Sequence, residues 1–183
     1  VVLAHYNTTG PEIWEDTDGK VDFVVSMAGT GGTLNGLSKY FREKNPNVKI
    51  IGVQATPDSR YFTPEAEKNG VIDGVAPFAN VAEPPTFLTD SSIYDEYIEV
   101  STLQAKAVAH ELAEHEGLFL GTSSAAGVYA ASIVAARPEN KDKNVFVEIS
   151  NVSIFSDINE QFREAHSKLV LLFDYNVTPT EMY

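Results

Sequence analysis

Apolar residues along this chain gather into short runs separated by polar, helix-spaced segments, and the runs recur often enough to predict alternating strands and helices. "VDFVVS" (21–26) and "VKIIGVQA" (48–55) are continuous apolar runs of strand length, as expected for strands buried on both faces of a parallel sheet. Between them, Leu34, Leu37 and Phe41 fall at helical spacing, and Asn45 and Pro46 end that helix. The polar stretch from Thr56 to Asn69 predicts a loop or short helix, and a connector rich in Pro, Ala and Thr runs from about Val75 to Thr89. "YIEV" (97–100) predicts a short edge strand. "STLQAKAVAHELAEHEG" predicts a helix with a Ser or Thr cap, closed at Gly117. A second round follows: "LFL" as a strand, "GTSSAAG" as a small-residue turn, "VYAASIVAARP" as a helix ended before Pro138, and "NVFVEIS" (144–150) as a strand. Residues 157–168 read as a polar, helix-compatible segment, and "LVLLFDYNVTPTEMY" as either a docking strand or a frayed end. The fold class is α/β: an open, mostly parallel twisted sheet with helices on both faces, over residues 1–168, followed by a divergent tail over 169–183.

Composition narrows the partners. The 183 residues suit one domain, and no apolar run approaches the ~18 residues of a membrane span, so direct membrane insertion is not expected. A formal net charge of −13 repels phosphate backbones, which argues against nucleic acid and for a small molecule or another protein. With no cysteine there are no disulfides, thiol nucleophiles or thiolate metal sites. The reading is an intracellular protein, cytoplasmic or organellar alike. The chain starts at Val1 without an initiator Met, which leaves room for an upstream segment.

The chemistry concentrates in Gly29-Thr30-Gly31-Gly32-Thr33, which follows a strand and opens a helix. Such a loop presents several backbone N–H groups to one point, an anion cradle, and its threonine hydroxyls add donors. It lacks the Gly-Lys-Ser/Thr of a triphosphate loop, and Leu34 replaces the third glycine of the dinucleotide fingerprint. The next strand ends at Gln54 and Ala55 with no acid for a ribose. A lone phosphate monoester is the better match; a tight turn with glycines for packing is the plainer alternative. The second small-residue turn, Gly121 to Ala125, belongs at the same edge of the sheet, where Ser123 either hydrogen-bonds a ring nitrogen or caps a helix. His110 and His115 are five apart and read as exposed helix histidines; no metal site is expected. Glu12, Glu15, Asp16 and Asp18 read as solvated surface.

Taken together, "YNTTGPEIWEDTDGKVDFVVSMAGTGGT", "NPNVKIIGVQ", "EGLFLGTSSAAG" and "ARPENKDKNVFV" resemble the cysteine synthase, or O-acetylserine (thiol) lyase, family and its cystathionine β-synthase relatives. The resemblance implies the fold-type II pyridoxal phosphate architecture and replacement of a serine derivative's β-substituent by sulfur. It implies that Gly29, Thr30, Gly31, Gly32 and Thr33 hold the cofactor phosphate, that Ser123 meets the pyridine nitrogen, and that Gly74 lies in the loop beside the substrate. The family's reactive lysine belongs to an amino-terminal lobe that would precede Val1. Lys20, Lys39, Lys44, Lys49, Lys68, Lys106, Lys141, Lys143 and Lys168 lie in polar surroundings, and no catalytic residue is assigned among them. Other departures are Ala76 and Pro77 in place of a glycine-rich substrate loop, and "SNVSIF" after the last core strand. Two readings remain: the carboxyl-side part of a β-replacement enzyme, inactive as this isolated chain, or a pseudoenzyme kept as a structural subunit. Either implies a protein partner or an oligomer, because the lobe would cover apolar surface.

Overall fold

Continuous apolar runs pair as parallel neighbours because both their faces are covered. A computed structural model describes residues 1–149. Its sheet has four strands, β1 (Phe23–Met27), β2 (Lys49–Ala55), β3 (Glu96–Val100) and β4 (Val145–Val147), in the order β3-β2-β1-β4 and all parallel. Val25 lies opposite Ile51 on one side and Val147 on the other. The helices are α1 (Val2–Asn7), α2 (Thr9–Asp16), α3 (Gly32–Lys44), α4 (Pro64–Asn69), α5 (Thr102–Glu111) and α6 (Thr122–Ala135).

Strand alternation divides the core in two. Val24 and Ile50 face Leu34, Leu37 and Phe41 of α3, with Ile13 of α2 and Phe146 of β4. Val25, Met27, Ile51 and Val53 face the other way, onto Ala105 and Val108 of α5 and Ala125, Val128 and Ala131 of α6. The helices therefore cover both faces, as the sequence predicted.

Several local expectations change. "LFL" is not a strand of this sheet: after α5 the chain widens through a π-helical turn at Leu112–Glu116, Gly117 takes φ 68°, and Leu118 N–H bonds back to Leu112. A helix end uses those residues, and only Leu120 forms an isolated bridge. "GTSSAAG" is likewise not a separate turn, because α6 begins at Thr122 and runs through it. Helix α1 was not anticipated; its backbone meets α3 closely at Gly36, where an added Cβ would lie 2.6 Å from the Val2 carbonyl. Helix α5 carries the expected cap, a reciprocal pair between Ser101 and Gln104. The segments "SNVSIF", 157–168 and the 169–183 tail lie outside the described residues. Among the described residues, no helix is long and apolar enough to cross a membrane.

Candidate cofactor site

The site forms where β1 ends. Ala28 N–H bonds Val53 of β2, and Ala28 in turn accepts from Ala76 N–H at 2.6 Å, so the loop after β1 is tied to the chain that follows α4. Phe87 N–H reaches Thr30 at 3.1 Å, and Asn35 Nδ2 donates to Phe87. Gly31 precedes α3 at φ 85° with no side-chain cap, so the first-turn N–H groups of a 13-residue helix remain without an intrahelical acceptor. An added Cβ on Gly31 would enter Leu88, which explains why glycine stands there.

A cavity of about 240 Å³ opens at this point. Gly29, Thr30, Gly31, Gly32 and Thr33 line it, and so do Gly74 and Ser123, residues from three separate parts of the chain. Every residue the sequence assigned to the site is thus brought to one place. Ser123 is 7% exposed, in the first turn of α6. The N-cap position of that helix is Gly121, so Ser123 is not the cap. Gly74, at φ 76°, would set a Cβ in open space. A larger opening of about 670 Å³ continues past Gly74, lined by Arg60, Tyr61, Ala76 and Pro77.

Three residues that sequence reasoning missed join these. His5 of α1 lies 3.1 Å from the Thr33 hydroxyl, so the threonine is held by the unanticipated helix. Asp73 lines both openings and accepts from the Tyr61 hydroxyl and from Gly74 N–H. Glu148, just beyond β4, lines the smaller cavity and accepts from the Ser26 hydroxyl at 2.8 Å. Burial pushes the Glu148 carboxyl above its ordinary range, and the Ser26 hydrogen bond only partly offsets this. An acid at an inward position of an apolar strand was the one available signal for it.

A folded-state pKa raised above the unfolded value means that ionising Glu148 costs stability. Its contribution is most favourable below the unfolded pKa and is lost as pH rises through the folded pKa. Glu148→Gln should therefore gain stability relative to wild type on going from pH 5 to pH 8, read as the difference in urea midpoints; an equal difference at both values would contradict it.

Gln54, placed by sequence where a ribose acid would sit, has a structural task instead. It is 1% exposed; its Oε1 accepts from Phe78 N–H and Ala79 N–H, both at 2.9 Å, while Nε2 donates to Glu99. It pins the connector behind the glycine loop. Gln54→Leu should cost about 3 kcal/mol by urea denaturation, since two buried donors lose their acceptor; a loss under about 1 kcal/mol would refute this role.

No described lysine lines either opening. Lys49 pairs with Asp95, Lys143 with Asp22, and Lys106 donates to Asn69. His110 and His115 are exposed and sit beside Glu114 and Glu111.

With this geometry in view, comparison identifies the class: the chain belongs to the family described as pyridoxal-phosphate dependent enzyme, whose model matches residues 1–150. Within it, the chain is similar to Cysteine synthase 3 of Caenorhabditis elegans, at 38% identity over 81% of this chain and 42% of that one. It is 35% identical to the cystathionine beta-synthase of Apis mellifera over 76% of this chain and 27% of that protein. The fold superposes on the crystal structure of O-acetyl serine sulfhydrylase isoform 3 from Entamoeba histolytica with TM-score 0.66 and 28% identity, covering 82% of this chain and 43% of that one. The chain spans less than half the length of these relatives. It is a cysteine synthase-like pyridoxal phosphate domain, and pyridoxal phosphate is the cofactor its family implies.

The residues present fit that group. The glycine cradle, with an uncapped helix start behind it, suits a phosphate ester. The Ser123 hydroxyl suits a ring nitrogen, being able to donate or accept.

Proposed function

We propose that this chain carries the phosphate and ring-nitrogen side of a pyridoxal phosphate site serving β-replacement in cysteine biosynthesis. The observation that supports it is the convergence of Gly29 to Thr33 and Ser123 on one cavity at the carboxyl edge of the sheet. When bound, the cofactor supplies an electron sink for chemistry at an amino acid's α and β carbons. The chain's own residues bind and orient. N–H groups from Gly29 to Thr33 would hold the ester, and Ser123 would meet the nitrogen with a neutral hydroxyl that does not enforce its protonation. The loop at Asp73 and Gly74, tied by Tyr61, borders the side a substrate would approach.

The reading includes that the isolated chain does not turn over, since no described lysine reaches the cavity. After incubation with pyridoxal phosphate and borohydride, intact mass should show no lysine adduct, while equilibrium dialysis should show reversible binding displaced by inorganic phosphate. An adduct would overturn the inactivity, and the absence of any binding would overturn the site.

A second reading, a pseudoenzyme acting as a structural subunit, is favoured by the two carboxyl groups, Asp73 and Glu148, in the wall of an anion site. Under both readings the chain works with a protein partner or a second copy of itself. Phe62, Tyr61, Phe119 and Leu103 are large exposed apolar side chains consistent with this. Light scattering should give a mass above that of one 20.0 kDa chain; a monomer at all concentrations would count against it.

A further inference from the structure

Glu148 stands in a position that the proposed anion site does not explain. Along β1, Val24 faces the α3 side of the sheet and Val25 and Met27 face the α6 side. Ser26 therefore shares the α3 side with Val24. Phe146 of β4 packs on that same side, and Glu148, two residues on, meets the Ser26 hydroxyl there. The carboxyl thus lies on the face that carries the first turn of α3, across the sheet from α6 and Ser123. By its side of the sheet it is grouped with the glycine loop, the proposed phosphate end, and not with Ser123.

A carboxylate in that position opposes an anion. Among the described residues no lysine or arginine lines the cavity to offset it, and the other carboxyl in the wall is Asp73. The opposition disappears if the carboxyl carries a proton, because a neutral acid becomes a donor. We infer that Glu148 is a binding residue of the phosphate subsite, entering the complex as a neutral carboxylic acid that donates its O–H to the bound anion. This deepens the proposed function and rests on it. Ser26, whose hydroxyl is fixed on one carboxyl oxygen, is the positioning residue. Burial already favours the neutral form. Anion binding at high pH then takes up one proton from solvent, and affinity falls as pH rises.

Among the described residues, the other titratable groups facing this end are His5 on α1, beside Thr33, and Asp73 on the loop after α4; Ser26 on β1 and Ser123 on α6 are neutral. Protonated His5 would also favour anions at low pH, so it must be separated from Glu148.

Sulfate is the probe, because it stays a dianion from pH 5.5 to 8.5 and its own ionisation does not enter. Calorimetry on wild type should show affinity falling about tenfold or more across that range, with proton uptake revealed by buffers of different ionisation enthalpy. In Glu148→Gln the affinity should change by less than about twofold once His5 is also replaced by Gln, whereas His5→Gln alone should keep the steep fall. Ser26→Ala removes the hydrogen bond that favours the charged carboxylate, so the midpoint should move to higher pH. A slope kept in the Glu148→Gln, His5→Gln double variant, or lost in His5→Gln alone, overturns the inference. So does a Ser26→Ala midpoint that stays or moves down. Tight sulfate binding with a flat wild-type profile overturns it while leaving the anion site standing; no sulfate or pyridoxal phosphate binding at any pH overturns both.

Discussion

Gly31→Asp is expected to lower the affinity for pyridoxal phosphate and for inorganic phosphate by about 100-fold or more, equivalent to about 2.7 kcal/mol. Three effects act in the same direction. Residue 31 has φ 85°, which an L side chain rarely adopts and which costs it roughly 1–2 kcal/mol. The new Cβ would enter Leu88, displacing the segment whose Phe87 N–H holds Thr30. The added carboxylate would also stand at the mouth of α3, where the N–H groups attract the anion. Gly74→Ala is the comparison: it shares the left-handed φ but meets nothing within 4 Å, so it should leave phosphate affinity within about threefold. Calorimetry on both variants decides the matter. Equal affinities for Gly31→Asp and wild type would reject the cradle.

Gly127→Val should destabilise the domain by about 3 kcal/mol or more and weaken binding of pyridoxal phosphate more than binding of inorganic phosphate. Gly127 faces the sheet from the middle of α6, where an added Cβ would strike the Met27 sulfur and approach Val147 at 3.1 Å. The packing there is closed: Val128, Ala130 and Ala131 are all fully buried, so the helix has to lift. Ser123 lies one turn earlier on the same helix and lifts with it, while the glycine loop, carried by β1 and α3, stays. Urea denaturation measures the stability, and paired titrations with the two ligands measure the selective loss. A variant as stable as wild type, or one losing both ligands equally, would contradict this geometry.

Much of this architecture is legible in the amino-acid order because parallel strands buried on both faces appear as unbroken apolar runs. Residues 21–26 and 48–55 could be placed on that basis, and the glycine loop between them follows from residue type alone. Helix α1 could not be read, since six residues have little helical preference of their own; it forms where Gly36 lets its backbone settle on α3. "LFL" misled because three apolar residues fit a strand, while the deciding contact, Leu118 N–H on Leu112, belongs to a helix end. Glu148 shows the same limit within the site. Its charge in an apolar run is visible locally, yet the partner that gives it meaning is Ser26, 122 positions away.

The central claim is that amides from Gly29 to Thr33 hold an ester phosphate while Ser123 serves the far end of the same ligand. Isotope-edited NMR titration tests it most directly. Inorganic phosphate should shift the amide signals of Gly31, Gly32 and Thr33 and leave Ser123 in place, and pyridoxal phosphate should shift all four. Shifts confined to other parts of the chain, or a Ser123 signal that moves equally with both ligands, would contradict the account.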